Sequence, residues 1–276
     1  MKKLMVLGGN FLQMTAIKRA RELGYYVISV DYLPSNPGHR YSDEYHNVST
    51  VDKEAVLCLA RELGIDGILA FATDVAAPTA AYVAEQMGLP TNPYESVMIL
   101  THKDLFRKFM AENGLLIPWG KAFFDKEEAR SYFEKHPLPM MIKPVDSSGS
   151  KGVTKVTARE EFDAAFDAAL AYSIEKRVII EQFIERQGYQ IDGDGFIKDG
   201  RIAFFGVMDQ HNNHARNPYA PIGLSSPSVQ EEKYRRQAYD MISTIFTKLG
   251  MQFGAFNFEY IIGGDGRVYL LEIGPR

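Results

Sequence analysis

The feature that most constrains this sequence is the alternation of short apolar runs with segments of helical periodicity over residues 1–93. Residues 4–7 predict a buried strand, and an amphipathic helix that ends at Gly24 follows. Two more strand–helix units repeat this order, with strands predicted over residues 26–30 and 68–71. Because βαβ units join parallel strands through right-handed crossovers, the pattern predicts an α/β domain built on a parallel sheet.

The pattern changes after Asn92-Pro93, which predicts a domain boundary. One helical stretch over residues 94–113 is expected first. Two β-hairpins are predicted later, turning near Asp199-Gly200 and at residues 263–266. Strand pairs with helices between them indicate α+β construction for the rest of the chain.

A loop rich in serine and glycine directly follows the predicted strand that contains Lys143. Small residues let backbone N–H groups turn inward and surround an anion, and the nearby lysines add positive charge. The alternative is a flexible surface turn. The residues of the loop are Asp146, Ser147, Ser148, Gly149, Ser150, Lys151 and Gly152.

Two glutamates of the last hairpin, Glu259 and Glu272, are predicted to share one face. With a four-residue loop at 263–266, Ile262 faces Arg267, and Asn257 then faces Glu272. A pairing slip of two residues preserves this arrangement, and a slip of one destroys it. Neighbouring carboxylates repel unless a cation lies between them, and oxygen ligands suit Mg²⁺. The alternative is a solvated hairpin face.

Several single residues carry separate hypotheses. Asp31 ends a strand beyond a Gly-Gly turn, as does the ribose-binding acid of a dinucleotide fold, although the later glycines of that fingerprint are missing. Asp74 is expected to cap the following helix. His211, Asn213 and Arg216 belong to a polar loop that could bind substrate.

Charge and composition exclude some classes of function. The formal net charge of −4 provides no broad cationic field, so nucleic-acid binding is not expected. No apolar stretch approaches the roughly 20 residues that cross a bilayer, so no membrane partner is expected. Cys58 is the only cysteine, which excludes an intrachain disulfide and fits a cytoplasmic protein.

Five motifs occur in an order that resembles the ATP-grasp superfamily, in the branch of carbamoyl phosphate synthase large subunits, biotin carboxylase and the purine-pathway carboxylases. The motifs are Met141-Ile142-Lys143-Pro144, the loop 146–152, Glu181-Gln182-Phe183-Ile184, Asn257-Phe258-Glu259 and Leu271-Glu272-Ile273-Gly274-Pro275-Arg276. The resemblance implies a Rossmann-like pre-ATP-grasp domain at 1–93 and an ATP-grasp domain at 94–276. The latter would comprise a mobile lid lobe at about 118–187 and a metal-bearing lobe at about 188–276.

The resemblance also implies roles for individual residues. Glu259 and Glu272 would bind magnesium, with manganese as a substitute, and Arg276 and Lys151 would act on the transferring phosphoryl group. The residues expected to contact ATP are Lys103, Lys143, Ser147, Ser148, Gly149, Ser150, Gly152, Glu181, Gln182, Phe183, Ile184 and Gln190.

The sequence departs from the family pattern in three places. Gln190 stands where many members have a ribose-binding glutamate, and Gly274 stands where most have an asparagine that binds a second metal ion. Water could take the place of that asparagine, or the second metal ion would bind more weakly. The chain also ends at Arg276, where most members continue, so the ATP-grasp domain is expected to be incomplete or a minimal core.

The function implied by the resemblance is that of an ATP- and Mg²⁺-dependent carboxylate–amine ligase. A carboxylate or bicarbonate would be activated as an acyl phosphate and then attacked by an amine or similar nucleophile. The partners would be these small molecules, and a homodimer is an expectation because family members are often dimers. A non-catalytic ATP-binding module and an NAD-dependent oxidoreductase are the alternatives.

Overall fold

The N-terminal part contains a parallel sheet, as predicted. The structure is a computed structural model that describes residues 1–213 and 217–276. The sheet has the strand order β3-β2-β1-β4. Its strands are β1 (Lys3–Leu7), β2 (Tyr26–Val30), β3 (Glu44–His46) and β4 (Gly67–Leu69).

Three helices cover this sheet: α1 (Gln13–Glu22), α2 (Lys53–Leu63) and α3 (Ala77–Gln86). The ends of α2 follow local rules, because the Asp52 carboxylate accepts a hydrogen bond from the Ala55 N–H at 3.1 Å. Gly64 ends the same helix in the left-handed region, with φ 61°. Apolar side chains of β1 and β2 pack against α2 and α3 to form the core of this part.

The helical stretch predicted over residues 94–113 is two helices, so the prediction of one continuous helix is wrong. They are α4 (Tyr94–Thr101) and α5 (Lys103–Glu112). His102 between them has extended backbone angles, φ −113° and ψ 115°. The Lys103 N–H donates to the carbonyl of Val145 at 2.9 Å instead of continuing α4. A tertiary contact therefore interrupts a sequence of good helical periodicity.

The middle of the chain forms a four-stranded sheet in the order β5-β8-β6-β7. Its strands are β5 (Gly120–Phe123), β6 (Met140–Pro144), β7 (Thr154–Val156) and β8 (Val178–Gln182). The helices α6 (Lys126–Glu134) and α7 (Phe162–Tyr172) pack on one face and enclose an aromatic core around Phe133, Phe162 and Phe166. The 146–152 loop connects β6 to β7.

The last part is a five-stranded antiparallel sheet in the order β11-β10-β9-β12-β13. Its strands are β9 (Arg186–Lys198), β10 (Arg201–Asn213), β11 (Asn217–Ser225), β12 (Gly254–Gly263) and β13 (Val268–Pro275). The helix α8 (Glu232–Leu249) packs its apolar stripe against one face through Ile242, Ile245 and Phe246. The other face carries the polar residues described below. Within the described residues, no helix has the length and apolar character of a membrane span.

Candidate active site

The last hairpin brings Glu259 and Glu272 together by a route that differs from the predicted one. Ile262 pairs with Val268, not with Arg267, so the predicted register at the turn is wrong by one residue. That slip alone would place the two glutamates on opposite faces. A register shift directly after Glu259 adds a second step, and Glu259 therefore lies opposite Glu272. The β-bulge is what builds the acidic pair.

The bulge is held by Arg107, which the sequence analysis did not identify. Leu271 is the residue of β13 left without a cross-strand partner, and its carbonyl accepts a hydrogen bond from Arg107 Nη1 at 2.9 Å. Arg107 projects from α5 and is only 5% exposed. A sequence signal was available, because this arginine lies on the apolar face of α5 between Phe106 and Met110, where a charge needs a buried partner.

Glu181 is the partner of both Arg107 and Lys143. Its carboxylate is 1% exposed, forms an ion pair with Lys143, and lies 3.2 Å from Arg107 Nε. Burial by itself raises the pKa, but the charges of Lys143 and Arg107 outweigh it and lower the pKa of Glu181 to about 2. The side chain of Glu181 thus belongs to an internal network, and this network orients Lys143.

The rest of the predicted adenine segment lies at the end of β8. The Gln182 N–H donates to the carbonyl of Trp119 at 2.8 Å, so that donor is used within the protein. Phe183 packs beneath the ammonium of Lys155, 3.9 Å from its ring centre. Gln182, Phe183 and Ile184 are all partly exposed.

Lys103 connects the serine–glycine loop to the acidic pair. Its ammonium donates to the carbonyl of Ser147 at 2.9 Å and lies 3.6 Å from Glu272 Oε2. The loop has three residues in the left-handed region, which are Gly149 at φ 68°, Ser150 at φ 55° and Gly152 at φ 69°. The Ser150 hydroxyl donates to the carbonyl of Tyr219 at 2.9 Å, so the loop reaches across to β11. Ser148 is partly exposed, whereas Lys151 is exposed.

Two aspartates of β9 that the sequence did not indicate extend the acidic surface. Asp192 pairs with Glu259 and Asp194 with Asn257 across the β9–β12 ladder. Burial, followed by the charges of Asp194 and Glu272, raises the pKa of Asp192 to about 6. Burial and the charges of Glu272 and Asp192 raise the pKa of Glu259 well above its usual value. This concentration of carboxylate oxygens fits a hard divalent cation such as Mg²⁺.

Gln190, predicted to bind the nucleotide, contacts the metal-binding candidate Glu259 directly. Its Nε2 donates to Glu259 Oε2 at 2.5 Å and lies 3.4 Å from Gln210 Oε1. Gln210 is 1% exposed, and its Nε2 donates to no atom of the described residues. A glutamate at position 190 would add a further negative charge beside Glu259, whereas the amide donates a hydrogen bond to that carboxylate and adds no charge.

The space above Gly274 is filled. A methyl group added there would lie 2.2 Å from Asn257 Oδ1 and 2.4 Å from Asp74 Oδ1. The side chain that most family members carry at this position would collide with both. The two expectations for this position, water in place of the asparagine or a weaker second metal ion, stay predictions; the structure adds that Asn257 and Asp74 lie where a Cβ atom would be.

Asp74 does not cap α3, contrary to prediction. That helix has no side-chain cap, and the Asp74 carboxylate instead lies 2.6 Å from Arg276 Nη1. Burial raises the pKa of Asp74, while the charge of Arg276 acts in the opposite direction. Asp74 therefore pairs with Arg276 and not with the helix, because the fold packs the end of β13 against the N-terminal part of the chain.

A cavity of about 220 Å³ opens beside these groups. It is lined by Lys103 and the start of the serine–glycine loop, by Glu272 and Gly274, and by Asp74. Residues of α3 and the start of α4 close its far side. The cavity therefore lies between the predicted phosphate-binding groups and residues of α3, in the N-terminal part of the chain.

His102, which the sequence analysis left without a role, borders the same cavity with Asp146 and Glu175. The Glu175 carboxylate lies 3.2 Å from His102 Nε2, and His102 Nδ1 lies 3.0 Å from the carbonyl of Met98. Asp146 accepts from the N–H groups of Ile174 and Glu175, at 3.1 and 2.6 Å. These contacts anchor the start of the loop to α4 and to the segment before β8.

The residues of the predicted substrate loop are only partly described. His211 lies on β10 with its Nε2 2.9 Å from the Ser225 hydroxyl. Asn213 is the last residue of β10. Its side chain and the whole of Arg216 lie outside the described residues.

Asp31 is not available as a ribose-binding acid. Its carboxylate accepts hydrogen bonds from the N–H groups of Gly9 and Leu33, at 2.9 and 3.0 Å, and from Asn36 Nδ2 at 2.8 Å. A methyl group on Gly9 would lie 2.1 Å from the ring of His39. The protein's own side chains thus occupy the site that a dinucleotide would use.

The comparisons with known proteins agree with this arrangement. A family model described as an ATP-grasp domain matches residues 136–276. A formate-dependent phosphoribosylglycinamide formyltransferase of Burkholderia vietnamiensis is 33% identical over 290 residues, which cover 99% of this chain and 69% of that protein.

Solved structures of similar fold cover all of this chain. An L-amino acid ligase from Bacillus licheniformis matches with a TM-score of 0.79 and 23% identity over 67% of its chain. The biotin carboxylase domain of the Hydrogenobacter thermophilus 2-oxoglutarate carboxylase, in complex with MgADP and bicarbonate, matches with a TM-score of 0.79 and 18% identity over 64% of its chain.

The chain therefore belongs to the ATP-grasp family. The sequence-based predictions of the family, of the fold class and of an ATP-dependent ligase that uses ATP and magnesium are confirmed at the level of the family. Small-molecule substrates agree with the relatives found.

Proposed function

We propose that this protein uses ATP and Mg²⁺ to convert a carboxylate or bicarbonate into an acyl phosphate, which an amine or similar nucleophile then attacks. The observation that carries the proposal is the direct opposition of Glu259 and Glu272, with Lys103 between Glu272 and the serine–glycine loop. Acidic and basic groups thus alternate at one end of the cavity, as the charges of a metal–triphosphate complex require.

Glu259 and Glu272 are the proposed metal ligands, for Mg²⁺ or for Mn²⁺ as a substitute. When bound, the metal ion supplies charge neutralisation for phosphate oxygens. The raised pKa of Glu259 supports this assignment, since facing carboxylates are unfavourable without a cation. Gln190 donates to Glu259 Oε2, and the other oxygen, Oε1, is the one proposed to bind the ligand.

The proposed nucleotide site lies between the middle sheet and the last sheet. Lys103 and Lys143 are assigned to the phosphates, together with the loop residues Ser147, Ser148, Gly149, Ser150 and Gly152. Backbone and side-chain groups of Gln182 to Ile184 are assigned to adenine. Glu181 acts indirectly, because its buried carboxylate is committed to Lys143 and Arg107.

Phosphoryl transfer needs positioning and charge neutralisation more than a protein nucleophile. Arg276 and Lys151 are the proposed catalytic residues. Arg276 lies at the end of β13, two strand positions beyond Gly274, and Lys151 is exposed on the loop. A lobe at about 118–187 that closes as a lid would bring Lys151 inward and exclude water from the acyl phosphate.

The amine acceptor is assigned to the side of the cavity formed by the N-terminal domain. The similar proteins include an L-amino acid ligase and a formate-dependent phosphoribosylglycinamide formyltransferase, and ligation and formate-dependent transfer agree with this class of reaction. His211, Asn213 and Arg216 are assigned to the substrate. A cytoplasmic homodimer completes the proposal; the single cysteine fits a reducing compartment, and the biotin carboxylase neighbour is a dimer.

A non-catalytic ATP-binding module is the second candidate. Gly274 favours it, because the ligand that this position provides in most family members is absent. The two candidates differ in one observable, which is phosphate release when acids and amines are supplied together.

Isothermal titration with AMP-PNP, with and without Mg²⁺, tests the metal site. Glu272→Ala is expected to weaken Mg²⁺-dependent binding by about tenfold or more, since a ligand oxygen and its charge are lost. Glu62→Ala, at an exposed position of α2, is the matched control and is expected to bind as wild type does. Binding that is independent of Mg²⁺, or equal in the Glu272 variant, would contradict the proposed metal site.

A screen for released phosphate then tests catalysis. Pairs of small carboxylic acids and amines are supplied with Mg·ATP, and phosphate release that requires both partners supports the ligase. The binding of Mg·ATP without release for any pair, in a chain that contains all residues of the natural protein, would favour the module.

A further inference from the structure

Asp74 connects the N-terminal domain to the proposed catalytic arginine. It lies between β4 and α3, 202 positions from Arg276, and the two side chains form a hydrogen-bonded ion pair of 2.6 Å. The Asp74 and Arg276 side chains are 27% and 20% exposed, so the pair is mostly shielded from solvent. Arg276 is fixed at its backbone as well, because its N–H donates to the carbonyl of Ala255 at 2.9 Å. The backbone hydrogen bond fixes the position of the Arg276 main chain, and the ion pair with Asp74 fixes the orientation of its guanidinium.

Gly274 is the residue that makes this contact sterically feasible. A Cβ atom there would approach Asp74 Oδ1 to 2.4 Å, a distance that requires one of the two groups to move. The φ of Gly274 is not in the left-handed region, so backbone conformation does not demand a glycine. Glycine is therefore required at position 274 for steric reasons, because any larger residue there would displace the Asp74 carboxylate.

We propose that Asp74 is a positioning residue for Arg276, supplied by the N-terminal domain through the volume that Gly274 leaves open. This inference rests on the proposed function, in which Arg276 contacts the transferring phosphoryl group. A guanidinium has five N–H donors in a fixed plane. One nitrogen anchored on Asp74 fixes the plane of the guanidinium, and its remaining N–H donors are the groups proposed to meet a terminal phosphate.

The test compares binding of Mg·AMP-PNP with binding of Mg·ADP, by isothermal titration. The ratio of the two affinities measures what the terminal phosphoryl group contributes. In Asp74→Asn this ratio is expected to fall about fivefold, with Mg·ADP affinity within about twofold of wild type, because a misdirected guanidinium loses part of a charge-assisted contact. Simple removal of a negative charge near phosphate would change the ratio in the opposite direction.

Three further variants isolate the mechanism. In an Arg276→Ala background, Asp74→Asn is expected to cause no further loss, because the group that it positions is gone. Gly274→Ala is expected to lower the ratio at least as much as Asp74→Asn does, since the added methyl would displace Asn257 as well as the Asp74 carboxylate. Asn92→Ala is the matched control. Its side chain joins the same two regions through hydrogen bonds to Phe253 and Gln252, at 2.7 and 2.8 Å, and not through the Arg276 guanidinium, which pairs with Asp74.

The outcomes separate this inference from the proposed function. If Arg276→Ala lowers the ratio but Asp74→Asn leaves it unchanged or raises it, the positioning role is refuted and the ligase proposal stands. The role is also refuted if Asn92→Ala lowers the ratio equally, or if Asp74→Asn acts undiminished without Arg276. If the wild-type protein binds neither nucleotide in a Mg²⁺-dependent way, the proposed function fails first.

Discussion

Glu181→Gln is expected to destabilise the protein strongly at neutral pH, although the substitution preserves shape. The carboxylate is 1% exposed between Lys143 and Arg107, and its pKa is lowered from 4.5 to about 2. Each unit of pKa corresponds to about 1.4 kcal/mol, so the ionised form contributes on the order of 3 kcal/mol to the free energy of unfolding at pH 7. The variant also leaves two buried cations without their partner.

The pH dependence has a definite sign. Because the folded-state pKa lies below the unfolded value, the stabilisation is complete above about pH 5 and is lost as the pH falls toward 2. The difference between wild type and variant should therefore shrink from roughly 3 kcal/mol at pH 7 to roughly 1 kcal/mol at pH 3. For a chain of this length, the neutral-pH difference corresponds to a Tm lower by about 6 °C.

Thermal unfolding followed by circular dichroism at pH 7 and pH 3 measures both values. Glu62→Gln, at an exposed position, is the control for a change of net charge and should leave Tm within about 1 °C of wild type. A Tm difference for Glu181→Gln that is below about 2 °C at pH 7 would refute the reasoning. A difference that is equal at the two pH values would also refute it, because the effect would then not come from ionisation.

Three other substitutions test separate parts of the site. Arg107→Met should lower Tm by several degrees and weaken Mg²⁺-dependent binding of AMP-PNP, because the carbonyl of the β13 bulge loses its donor; unchanged metal dependence would contradict the role of the bulge. The pKa of Asp192 is raised to about 6, so its charge destabilises the metal-free fold above that pH. Asp192→Asn should therefore raise Tm at pH 8 but not at pH 3.5, and Mg²⁺ should reduce the gain; an equal gain at both pH values would speak against charge repulsion. Asp31→Asn should lower Tm while it leaves Mg·AMP-PNP affinity within about twofold, whereas a loss of nucleotide binding would revive the dinucleotide hypothesis.

Local interactions along the chain made the ends of some strands and helices predictable. The strand Tyr26–Val30 occurs where it was predicted, and the helix of the second predicted strand–helix unit is Lys53–Leu63, which is bounded by residues that act within a few positions of the chain. Asp52 caps one end of that helix and Gly64 ends the other. By contrast, the break at His102 could not be predicted, since it depends on a hydrogen bond to Val145, outside the helix.

The pairing of the two glutamates in the last hairpin could not be predicted correctly from the sequence. Both glutamates were found, yet the register that pairs them depends on a bulge whose carbonyl is held by Arg107, 164 positions away. Asp192 and Asp194 were missed because only the pairing of β9 with β12 brings them beside Glu259. Alternation along a strand identifies a shared face, but it does not show which other strand lies beside it.

The order of motifs along the chain was sufficient to determine the family, the parallel N-terminal sheet and the identity of the candidate metal and phosphate groups. Periodicity, helix caps and loop composition are local properties, so they can be recognised in the sequence without knowledge of the fold. Only the tertiary structure decided which charges meet: Glu181 with Lys143 and Arg107, and Asp74 with Arg276. The physical reason is that ion pairs and steric exclusion act over a few ångströms in space, and the fold alone determines which distant residues come within that range.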